Sequence, residues 1–289
     1  MRARRWHALL LPGALALLAA GCGTPTGYAP ETAPVYHGRP SRPAPAAASD
    51  SVTIVSWNIQ YGEDVPEALA DLRAHPRLAA ADVILLQEMG REGVAALAES
   101  LGLHWVYGLA SIHPHHARPF GNAVLARWPL TALAPQMLPH RTPVRGHRRI
   151  AVGADVDLGE GTVLRAVSVH TATLLVTQDK RMEQAVAALE GLGGSGPTVI
   201  GGDFNTISDW EVTLLRRAAR RAGFAHLRLP RGPTYAGGLR RLPGSGMVLD
   251  HVLVRGLAAG ARGVVRTATA SDHFPVWVVV ARPAAEVGR

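Results

Sequence analysis

The chain has 289 residues, 47% of them hydrophobic, which is enough for one large or two small domains with a sizeable core. Its formal net charge is +8, and Lys180 is the only lysine, so arginine supplies nearly all of the positive charge. The single cysteine excludes an internal disulfide framework and a four-cysteine zinc site.

The first 22 residues have the pattern of a secretion signal. Three arginines precede an apolar run over residues 8–20, and small residues lead directly to Cys22. We predict a signal peptide over residues 1–21 and a lipidated Cys22. The cysteine resembles that of a bacterial lipobox, although Ala19 replaces the usual leucine. Ordinary secretion with cleavage nearby and an uncleaved anchor are the alternatives, and the run is too short for a comfortable membrane span.

The predicted domain follows a polar segment. Residues 22–50 contain six prolines and too few large apolar side chains to fold, so we predict that they form a disordered tether. Residues 51–283 should form the domain, and residues 284–289 a tail. The protein should then be anchored by lipid to the extracytoplasmic side of a cell membrane, in the periplasm or on the outer face, or be secreted if it is not lipidated.

Loss of the signal peptide removes three arginines and no acids, which lowers the net charge from +8 to +5. This mildly basic balance does not by itself argue for a nucleic-acid partner. The sequence has no coiled-coil pattern and no motif for a protein partner.

Strands and helices are mixed along the folded part, and several strands follow one another directly. We predict strands at 51–56, 83–86, 103–107, 122–127, 131–137, 149–157, 162–169, 198–200, 247–254 and 276–281. We predict helices at 67–74, 92–101, 178–192 and 209–222. Strict alternation of strand and helix is absent, which favours two packed sheets flanked by helices over one parallel sheet.

The stretch 197–205 is central to the functional prediction. Residues 198–200 are an apolar strand, and Gly201 and Gly202 allow a sharp turn or a close approach of the backbone to another group. Asp203 and Asn205 follow, two positions apart, and can face the same way if the chain remains extended. The same residues are also common in turns, so the stretch alone leaves both interpretations open.

Other polar residues occupy the same kind of position, at the end of an apolar strand or within it. They are Asn58, Glu88, His170, Asp203 with Asn205, Asp250, and Asp272 with His273. Singly, each is explained by turn chemistry or by a structural histidine. Together, their four carboxylates suit Mg²⁺ or Mn²⁺, which usually retain water and help to bind phosphate. This combination indicates metal-assisted hydrolysis of a phosphate ester.

Seven ordered motifs resemble those of the endonuclease/exonuclease/phosphatase superfamily, over about residues 52–281. The motifs are Ser56-Trp57-Asn58-Ile59-Gln60, Leu86-Gln87-Glu88, the run 121–130, Ser168-Val169-His170-Thr171, Gly202-Asp203-Phe204-Asn205, Leu249-Asp250-His251, and the run 271–276. That superfamily includes DNase I-like nucleases, abasic-site endonucleases, bacterial sphingomyelinases and inositol polyphosphate 5-phosphatases. The resemblance implies a DNase I-like, four-layer α/β sandwich with two mixed sheets and the site at one end of them.

The resemblance also implies roles for the residues. Glu88 would bind the divalent metal, Mg²⁺ or Mn²⁺, with help from Asn58 and Asp272. The remaining roles concern substrate and water. His273 would contact the scissile phosphate and pair with Asp250. Asp203 would align or deprotonate the attacking water, and Asn205 would orient that water or a phosphate oxygen. His170 would hold another phosphate oxygen. Arg181 and Gln184 match a bacterial motif for which we expect a structural role.

The substrate remains open at this level. There are three hypotheses. The first is a phosphodiesterase or phosphatase acting on a small molecule or lipid head group, the second is an extracellular nuclease, and the third is a catalytically silent binding module. Gln60 replaces an acidic residue of the abasic-site endonucleases, which weakens a DNA-repair interpretation. A nuclease should have a continuous basic groove. A small-molecule enzyme should have a narrow pocket walled by loops 110–119 and 231–246, where Pro233-Thr234-Tyr235 resembles a family stretch.

Three basic features have two interpretations each. Arg149 could bind the substrate phosphate as a bidentate donor, or it could be surface charge, as could Arg145 and Arg148. The histidines at 113, 115 and 116 could form a second metal site or a mobile lid, or lie in a solvated loop. The arginines at 216, 217, 220 and 221 should form a solvated helix face, or contact anionic lipid head groups.

Overall fold

The computed structural model of the chain describes residues 35–45, 49–113, 118–143, 146–237 and 246–284. The predicted signal peptide, Cys22, Arg145, His115 and His116 lie outside these residues. None of the helices that the described residues form combines the length and the apolarity needed to cross a membrane.

The described residues form thirteen strands and five helices. The strands are β1 (Val35–Gly38), β2 (Ser51–Asn58), β3 (Val83–Met89), β4 (His104–His113), β5 (Arg118–Ala126), β6 (Leu130–Met137), β7 (Ile150–Gly159), β8 (Thr162–His170), β9 (Thr198–Asp203), β10 (Ala225–His226), β11 (Asp250–Arg255), β12 (Ala259–Val264) and β13 (Val276–Ala281). The helices are α1 (Val65–Ala74), α2 (Pro76–Ala79), α3 (Arg91–Leu101), α4 (Gln178–Leu192) and α5 (Asp209–Arg221), and a 3₁₀ turn spans Gln60–Gly62.

Two mixed sheets contain all of these described strands. One has the order β1-β4-β5-β3-β2-β13-β12, and the other has the order β10-β11-β9-β8-β7-β6. A parallel pair lies inside each sheet, β2 with β3 and β8 with β9, while the other neighbours are antiparallel. The helices flank the sheets, so the predicted four-layer α/β sandwich is confirmed.

Alternation along the strands explains the layers, because successive side chains point to opposite faces of a sheet. In β2, Ile54 joins the core between the two sheets, whereas Val55 packs with Leu72 of α1 and Leu97 of α3. The second sheet does the same against α4 and α5, where its Ile200 packs with helical leucines. The central strands are therefore apolar on both faces, which gives their sequences continuous hydrophobic runs.

The prediction of a disordered tether over residues 22–50 is wrong for residues 35–45. β1 pairs in register with β4, from Val35 opposite Gly108 to Gly38 opposite Trp105. Tyr36 packs against Tyr107 with ring centroids 6.2 Å apart, and the Arg91 guanidinium lies 4.9 Å from the Tyr36 ring. Pairing with the free edge of β4 supplies hydrogen bonds that the proline-rich composition does not reveal.

Other boundaries differ from the prediction. β4 extends to His113 and β5 begins at Arg118, so the predicted histidine-rich loop 110–119 is shorter than expected. β11 begins at Asp250 rather than at residue 247. β12 was not predicted, because its glycine-rich sequence has low strand propensity and it forms by pairing with β13 at the sheet edge.

Candidate active site

The topology gathers the predicted polar residues at one end of both sheets. Parallel strands β2 and β3 end there with Asn58 opposite Gln87, and β8 and β9 end there with His170 opposite Asp203. β11 and β13 run the other way, so the residues at their starts reach the same end. Asp250 lies opposite Asp203 in the ladder, and His273 precedes β13.

The two glycines before Asp203 permit close approaches on both sides of β9. A Cβ atom on Gly202 would lie 1.9 Å from the carbonyl oxygen of Val169 on the neighbouring strand. A Cβ atom on Gly201 would lie 2.9 Å from Leu85 Cδ1 on the facing sheet. Glycine is therefore required at Gly202 by the backbone of its own sheet, and at Gly201 by the packing of one sheet on the other.

Glu88 lies within β3 rather than after it, at a bulge. The register between β3 and β5 shifts between Leu86 and Met89, and Glu88 has a φ of 62°. Such a conformation is uncommon for a residue with a long side chain, and bulges commonly redirect side chains beside active sites. Its Oε2 accepts a hydrogen bond of 3.1 Å from the backbone N–H of Tyr61, which itself has a φ of 57°.

Asp203 is the centre of the polar cluster. Its Oδ2 accepts a 3.0 Å hydrogen bond from Asn58 Nδ2, and it lies 3.4 Å from His170 Nε2 and 3.6 Å from His273 Nε2. Its Oδ1 accepts from the backbone N–H of Asn205 at 2.9 Å. Burial raises the pKa of Asp203 to about 7, and the charge of Asp250 acts in the same direction against the opposing charge of His273.

His273 is held as a cation. Its Nδ1 donates to Asp250 Oδ2 at 2.9 Å, and its ring contacts Tyr235 with a centroid separation of 4.7 Å. Burial alone would lower the pKa of His273, but the charges of Asp250 and Asp203 outweigh burial and raise it to about 10. The carbonyl of His273 also accepts from Trp57 Nε1 at 3.0 Å, which fixes the backbone that carries the ring.

His170 is held neutral with a defined tautomer. Arg149 Nη1 donates to His170 Nδ1 at 3.2 Å, so the proton of the neutral ring is on Nε2. Burial lowers the pKa of His170 well below its usual value, and the charges of Arg149 and His273 lower it further. The buried Nε2–H has no hydrogen-bond partner and points towards Glu88 and Asp203, so it is free to donate to a bound oxygen.

A cavity of about 210 Å³ brings the remaining predicted residues together. Glu88, Asp203, Asn205, Asp272 and His273 line it. Asn205 has a φ of 47°, which asparagine tolerates better than most residues, and its Nδ2 donates to the Thr171 carbonyl at 3.0 Å. The backbone N–H of Asp272 donates to Gln60 Oε1 at 3.1 Å, which gives Gln60 a positioning role.

The donor set fits a hard divalent cation. Asn58 Oδ1 is buried without a hydrogen-bond partner, and burial raises the pKa of Glu88, so a nearby cation would stabilise its carboxylate. Carboxylate oxygens of Glu88 and Asp272 with the amide oxygen of Asn58 are the kind of ligands that Mg²⁺ and Mn²⁺ prefer.

Asp203, Asp250 and His273 also place ligand atoms within 4.8 Å of one another. This second group suits a cation less well, because Asp250 Oδ2 is hydrogen-bonded to His273 Nδ1 and the imidazolium charge repels a metal. The side of the cavity formed by Glu88 is therefore the better match to a divalent cation.

Arg149 lies at the site and not on the open surface. Its guanidinium is 4.9 Å from the Phe120 ring, whose centroid is 5.6 Å from that of His170.

The exposed arginines at 216, 217, 220 and 221 form the predicted solvated helix face. Arg181 and Gln184 are buried: Arg181 pairs with Glu211, and Gln184 bonds Ala172 N and the Pro139 carbonyl, each at 2.7 Å. This agrees with their expected structural role.

Three buried polar residues that have no predicted role connect the two sheets. Gln87 Nε2 donates to Ser168 Oγ at 2.9 Å, and Ser168 Oγ donates to the Leu86 carbonyl at 2.8 Å. Asn122 Nδ2 donates to the carbonyls of Ile150 and Ser168. In the sequence these polar residues lie inside apolar strand runs. That position could have indicated buried hydrogen bonds, because buried polar groups need partners.

Two mixed sheets packed face to face, with an acidic and histidine-rich cavity at one end, define a DNase I-like α/β sandwich. The model of the "Endonuclease/Exonuclease/phosphatase family" matches residues 55–273. The chain therefore belongs to the endonuclease/exonuclease/phosphatase family. This family generally hydrolyses phosphoesters and generally uses divalent metals.

Curated relatives are similar over part of their length. A UPF0294 protein of Vibrio parahaemolyticus is 32% identical over 123 residues, which cover 42% of this chain and 41% of the relative. The chain thus spans about two fifths of the length of the first curated relatives that it matches. A UPF0294 protein of Vibrio campbellii is 28% identical over 237 residues, covering 78% and 76% of the two chains.

Solved structures share the fold at low identity. An endonuclease/exonuclease/phosphatase from Beutenbergia cavernae has a TM-score of 0.67 at 22% identity, covering 83% of this chain and 74% of that one. A mannosyl-6-phosphatase from Bacteroides thetaiotaomicron has a TM-score of 0.62 at 17% identity, with coverages of 79% and 99%. TDP2 from D. rerio, complexed with a single-strand DNA product, has a TM-score of 0.62 at 16% identity, with coverages of 80% and 99%.

Proposed function

We propose that the protein is a metal-dependent phosphoesterase that hydrolyses a phosphodiester or phosphomonoester by in-line attack of water. The observation that carries the proposal is the set of contacts around Asp203 Oδ2. Asn58 Nδ2, His170 Nε2 and His273 Nε2 lie 3.0, 3.4 and 3.6 Å from this single oxygen, beside the cavity that Glu88 and Asp272 also line.

Glu88, Asn58 and Asp272 would hold Mg²⁺ or Mn²⁺ through oxygen atoms, directly or through water. The bound cation would neutralise charge on the phosphate oxygens, which lowers the barrier to attack by water.

The chain's own residues supply the other parts of the mechanism. Asp203 accepts the proton of the attacking water, for which a pKa of about 7 is well matched to neutral pH. The water oxygen forms a bond to phosphorus, the bond from phosphorus to the leaving oxygen breaks, and the leaving oxygen takes a proton from solvent. The charged ring of His273 and the Nε2–H of His170 donate to the phosphate oxygens as negative charge develops there.

Arg149 and Asn205 act beside this centre. Arg149 keeps the His170 proton on Nε2 through its bond to Nδ1, and its charge attracts the phosphate. Asn205 fixes Asp203 Oδ1 through its backbone N–H, and the second hydrogen of its Nδ2 can orient the water or a phosphate oxygen.

The cavity walls favour a small or amphiphilic phosphoester over a nucleic acid. Among the described lining residues, the wall consists mainly of uncharged groups and includes no lysine or arginine. A nucleic-acid channel would need cations along the strand. Tyr235 contributes to the wall, and further uncharged lining groups come from segments 60–61, 173–174, 205–207 and 247–249. None of the residues of loop 110–119 that the structure describes lines the cavity.

The test is a cleavage screen of the full chain in Mg²⁺ and in Mn²⁺, with bis-p-nitrophenyl phosphate, p-nitrophenyl phosphate and plasmid DNA as substrates. We expect cleavage of a p-nitrophenyl ester and a loss of about 10²- to 10⁴-fold in Asp203→Asn, because the proton acceptor is removed without a change in shape. Circular dichroism should show that this variant is folded. If neither metal supports cleavage of any phosphoester, or if Asp203→Asn retains full turnover, the proposed function is wrong.

We also propose that residues 1–21 are a signal peptide and that Cys22 is lipidated, which would anchor the enzyme on the extracytoplasmic side of a membrane. The basic and apolar pattern before Cys22 supports this proposal. Metabolic labelling with a tritiated fatty acid should mark the wild-type chain and not Cys22→Ala. Equal labelling of both chains would contradict lipidation at this residue.

A further inference from the structure

Large hydrophobic side chains are exposed on three segments that each contribute a residue to the wall of the active-site cavity. Three segments carry them, and we call the set the apolar rim: Leu174, Leu175, Ile207, Trp210, Met247 and Val248. Leu174, Leu175 and Trp210 are 67, 60 and 55% exposed, more than the other exposed hydrophobic residues that the structure describes. Exposed apolar groups gathered beside a site indicate an interaction surface rather than chance exposure.

The apolar rim is continuous with the cavity. Leu174, Ile207 and Met247 line the same cavity as Glu88 and Asp203, so phosphate chemistry at the floor meets apolar walls at the opening. A phosphoester that carries an apolar group would match both parts. Leu175, Trp210 and Val248 lie beyond the cavity lining, where a single small substrate in the cavity would leave them in water.

Buried polar contacts fix the base of the apolar rim. Arg181 Nη1 donates to the Val176 carbonyl at 2.5 Å and Arg181 pairs with Glu211, whose Oε2 accepts from Ile207 N at 2.5 Å. This arrangement joins the leucine segment to the start of α5. Thr206 Oγ1 donates to the Val248 carbonyl at 3.0 Å and joins the third segment. The apolar side chains are thus held outward on a rigid base.

The route of the chain brings the N-terminal segment to the same end of the molecule. Val35, the first residue of β1, pairs with Gly108 of β4, and Gly108 pairs with Asn122 of β5. The residue before Asn122 pairs with Met89, next to Glu88, so this end of β1 lies towards the end of the sheet that carries the site. β1 therefore starts towards the site end and runs away from it. The stretch from Cys22 to Val35 spans at most roughly 45 Å, so a lipid on Cys22 would hold this end of the domain close to a membrane.

We propose that the apolar rim docks on a lipid bilayer and that the substrate is a phospholipid, whose phosphoester enters the cavity while its apolar part remains in the bilayer. This inference rests on the proposed function for the reaction itself. Trp210 suits such a surface because tryptophan is favoured at membrane interfaces, and the Arg217 guanidinium, 5.6 Å from its ring, adds a cation that anionic head groups attract.

A binding experiment tests the docking without reference to activity. Full-length protein is mixed with vesicles of phosphatidylcholine and phosphatidylglycerol whose acyl chains carry bromine, which quenches tryptophan only at short range. We expect quenching in the wild type and a clear loss of the quenched fraction in Trp210→Phe. An equal quenched fraction in the two proteins would show that Trp210 does not reach the lipid, and would overturn the proposal.

A kinetic experiment tests the substrate class. The double variant Leu175→Ser with Trp210→Ser changes two residues outside the cavity. The matched control is Val163→Ser, which changes a 41% exposed residue at the end of β8 away from His170. With vesicle phospholipid the double variant should lose about tenfold in rate, while its cleavage of bis-p-nitrophenyl phosphate and the rates of the control remain as in the wild type.

The outcomes separate this inference from the proposed function. Equal rates of the double variant and the wild type on vesicles, or cleavage of plasmid DNA in preference to vesicle phospholipid, would overturn the lipid proposal while leaving a phosphoesterase. Absence of all phosphoester cleavage would remove the proposed function. The bromine experiment would then still decide whether the rim enters a bilayer.

Discussion

At the scale of single residues, the site depends on two histidines held in opposite protonation states. Asp250 keeps His273 charged, whereas burial and Arg149 keep His170 neutral with its proton on Nε2. One ring therefore contributes a cation and the other a neutral donor, although both lie within 4 Å of the same carboxylate oxygen.

Asp250→Asn should weaken the charged state of His273 and lower turnover by about 10²-fold or more, since the asparagine cannot stabilise an imidazolium. The effect should fall on kcat for bis-p-nitrophenyl phosphate more than on KM. Asp179→Asn, on an exposed acid in the first turn of α4, is the control and should keep wild-type rates. If Asp250→Asn matches the control, the ion pair has no part in turnover.

Glu88→Gln tests the metal assignment through binding. Replacing this buried carboxylate by an amide removes the negative charge that attracts the cation, and Mn²⁺ affinity measured by calorimetry should fall by about 10- to 100-fold. Glu183→Gln, on the exposed side of α4, should bind Mn²⁺ as the wild type does. Unchanged affinity in Glu88→Gln would move the metal to another part of the cavity.

At the scale of elements, β9 illustrates how local sequence and packing agree. The apolar run predicted a strand over residues 198–200, and the two glycines allowed either a sharp turn or a close approach of the backbone. The strand continues through both glycines to Asp203, and the closely approaching groups are Val169 and Leu85. The neighbouring bulge at Glu88 was not predictable, because its φ of 62° is imposed by pairing with β5 and not by the preference of glutamate.

Gly202→Ala should destabilise the fold by about 4 kcal/mol or more, because the added Cβ would overlap the Val169 carbonyl oxygen and the strands would have to separate. Gly260→Ala is a suitable control in strand β12, where the added Cβ meets nothing closer than 3.6 Å. Urea denaturation followed by circular dichroism would compare them. A Gly202→Ala protein as stable as the control would contradict the packing described for β9.

At the scale of the whole molecule, two packed sheets flanked by helices followed from the order of strands and helices. The four-layer sandwich with the site at one end followed from the resemblance to the family. β1 could not be predicted because its stability comes from the edge of β4, far along the chain. The polar contacts between the sheets, through Gln87, Asn122 and Ser168, also escaped prediction, since they depend on which strands face one another.

Acid should destabilise the whole domain through a buried histidine pair. His226 Nε2 donates to His251 Nδ1 at 3.0 Å, and His251 Nε2 donates to Thr206 Oγ1 at 2.7 Å, which requires the His251 ring to be neutral. Burial, together with the nearby positive charge of Arg216, lowers the pKa of His226 to about 4 and that of His251 to about 3.

These folded-state pKa values lie below the value of about 6.5 in the unfolded chain, so the unfolded chain takes up protons first as the pH falls. The contribution of the neutral histidine pair to the free energy of unfolding is therefore complete above pH 6.5 and is lost as the pH falls towards 4. The free energy of unfolding should fall by about 2 kcal/mol between pH 7 and pH 5.5. Urea titrations at these two values would measure it, with His226→Gln combined with His251→Asn as the reference. A wild-type loss no larger than that of the double variant would exclude the pair as the cause.

The position of β13 has a consequence for biosynthesis. This last strand lies between β2 and β12, and the residues just before it, Asp272 and His273, complete a site that begins with Asn58 on β2. A nascent chain that has not yet emerged as far as residue 272 lacks both residues and leaves the β13 side of β2 unpaired. The proposed activity can therefore arise only after residue 273 has been added and has emerged, so a shorter nascent chain could not attack phosphoesters in the compartment where it is made.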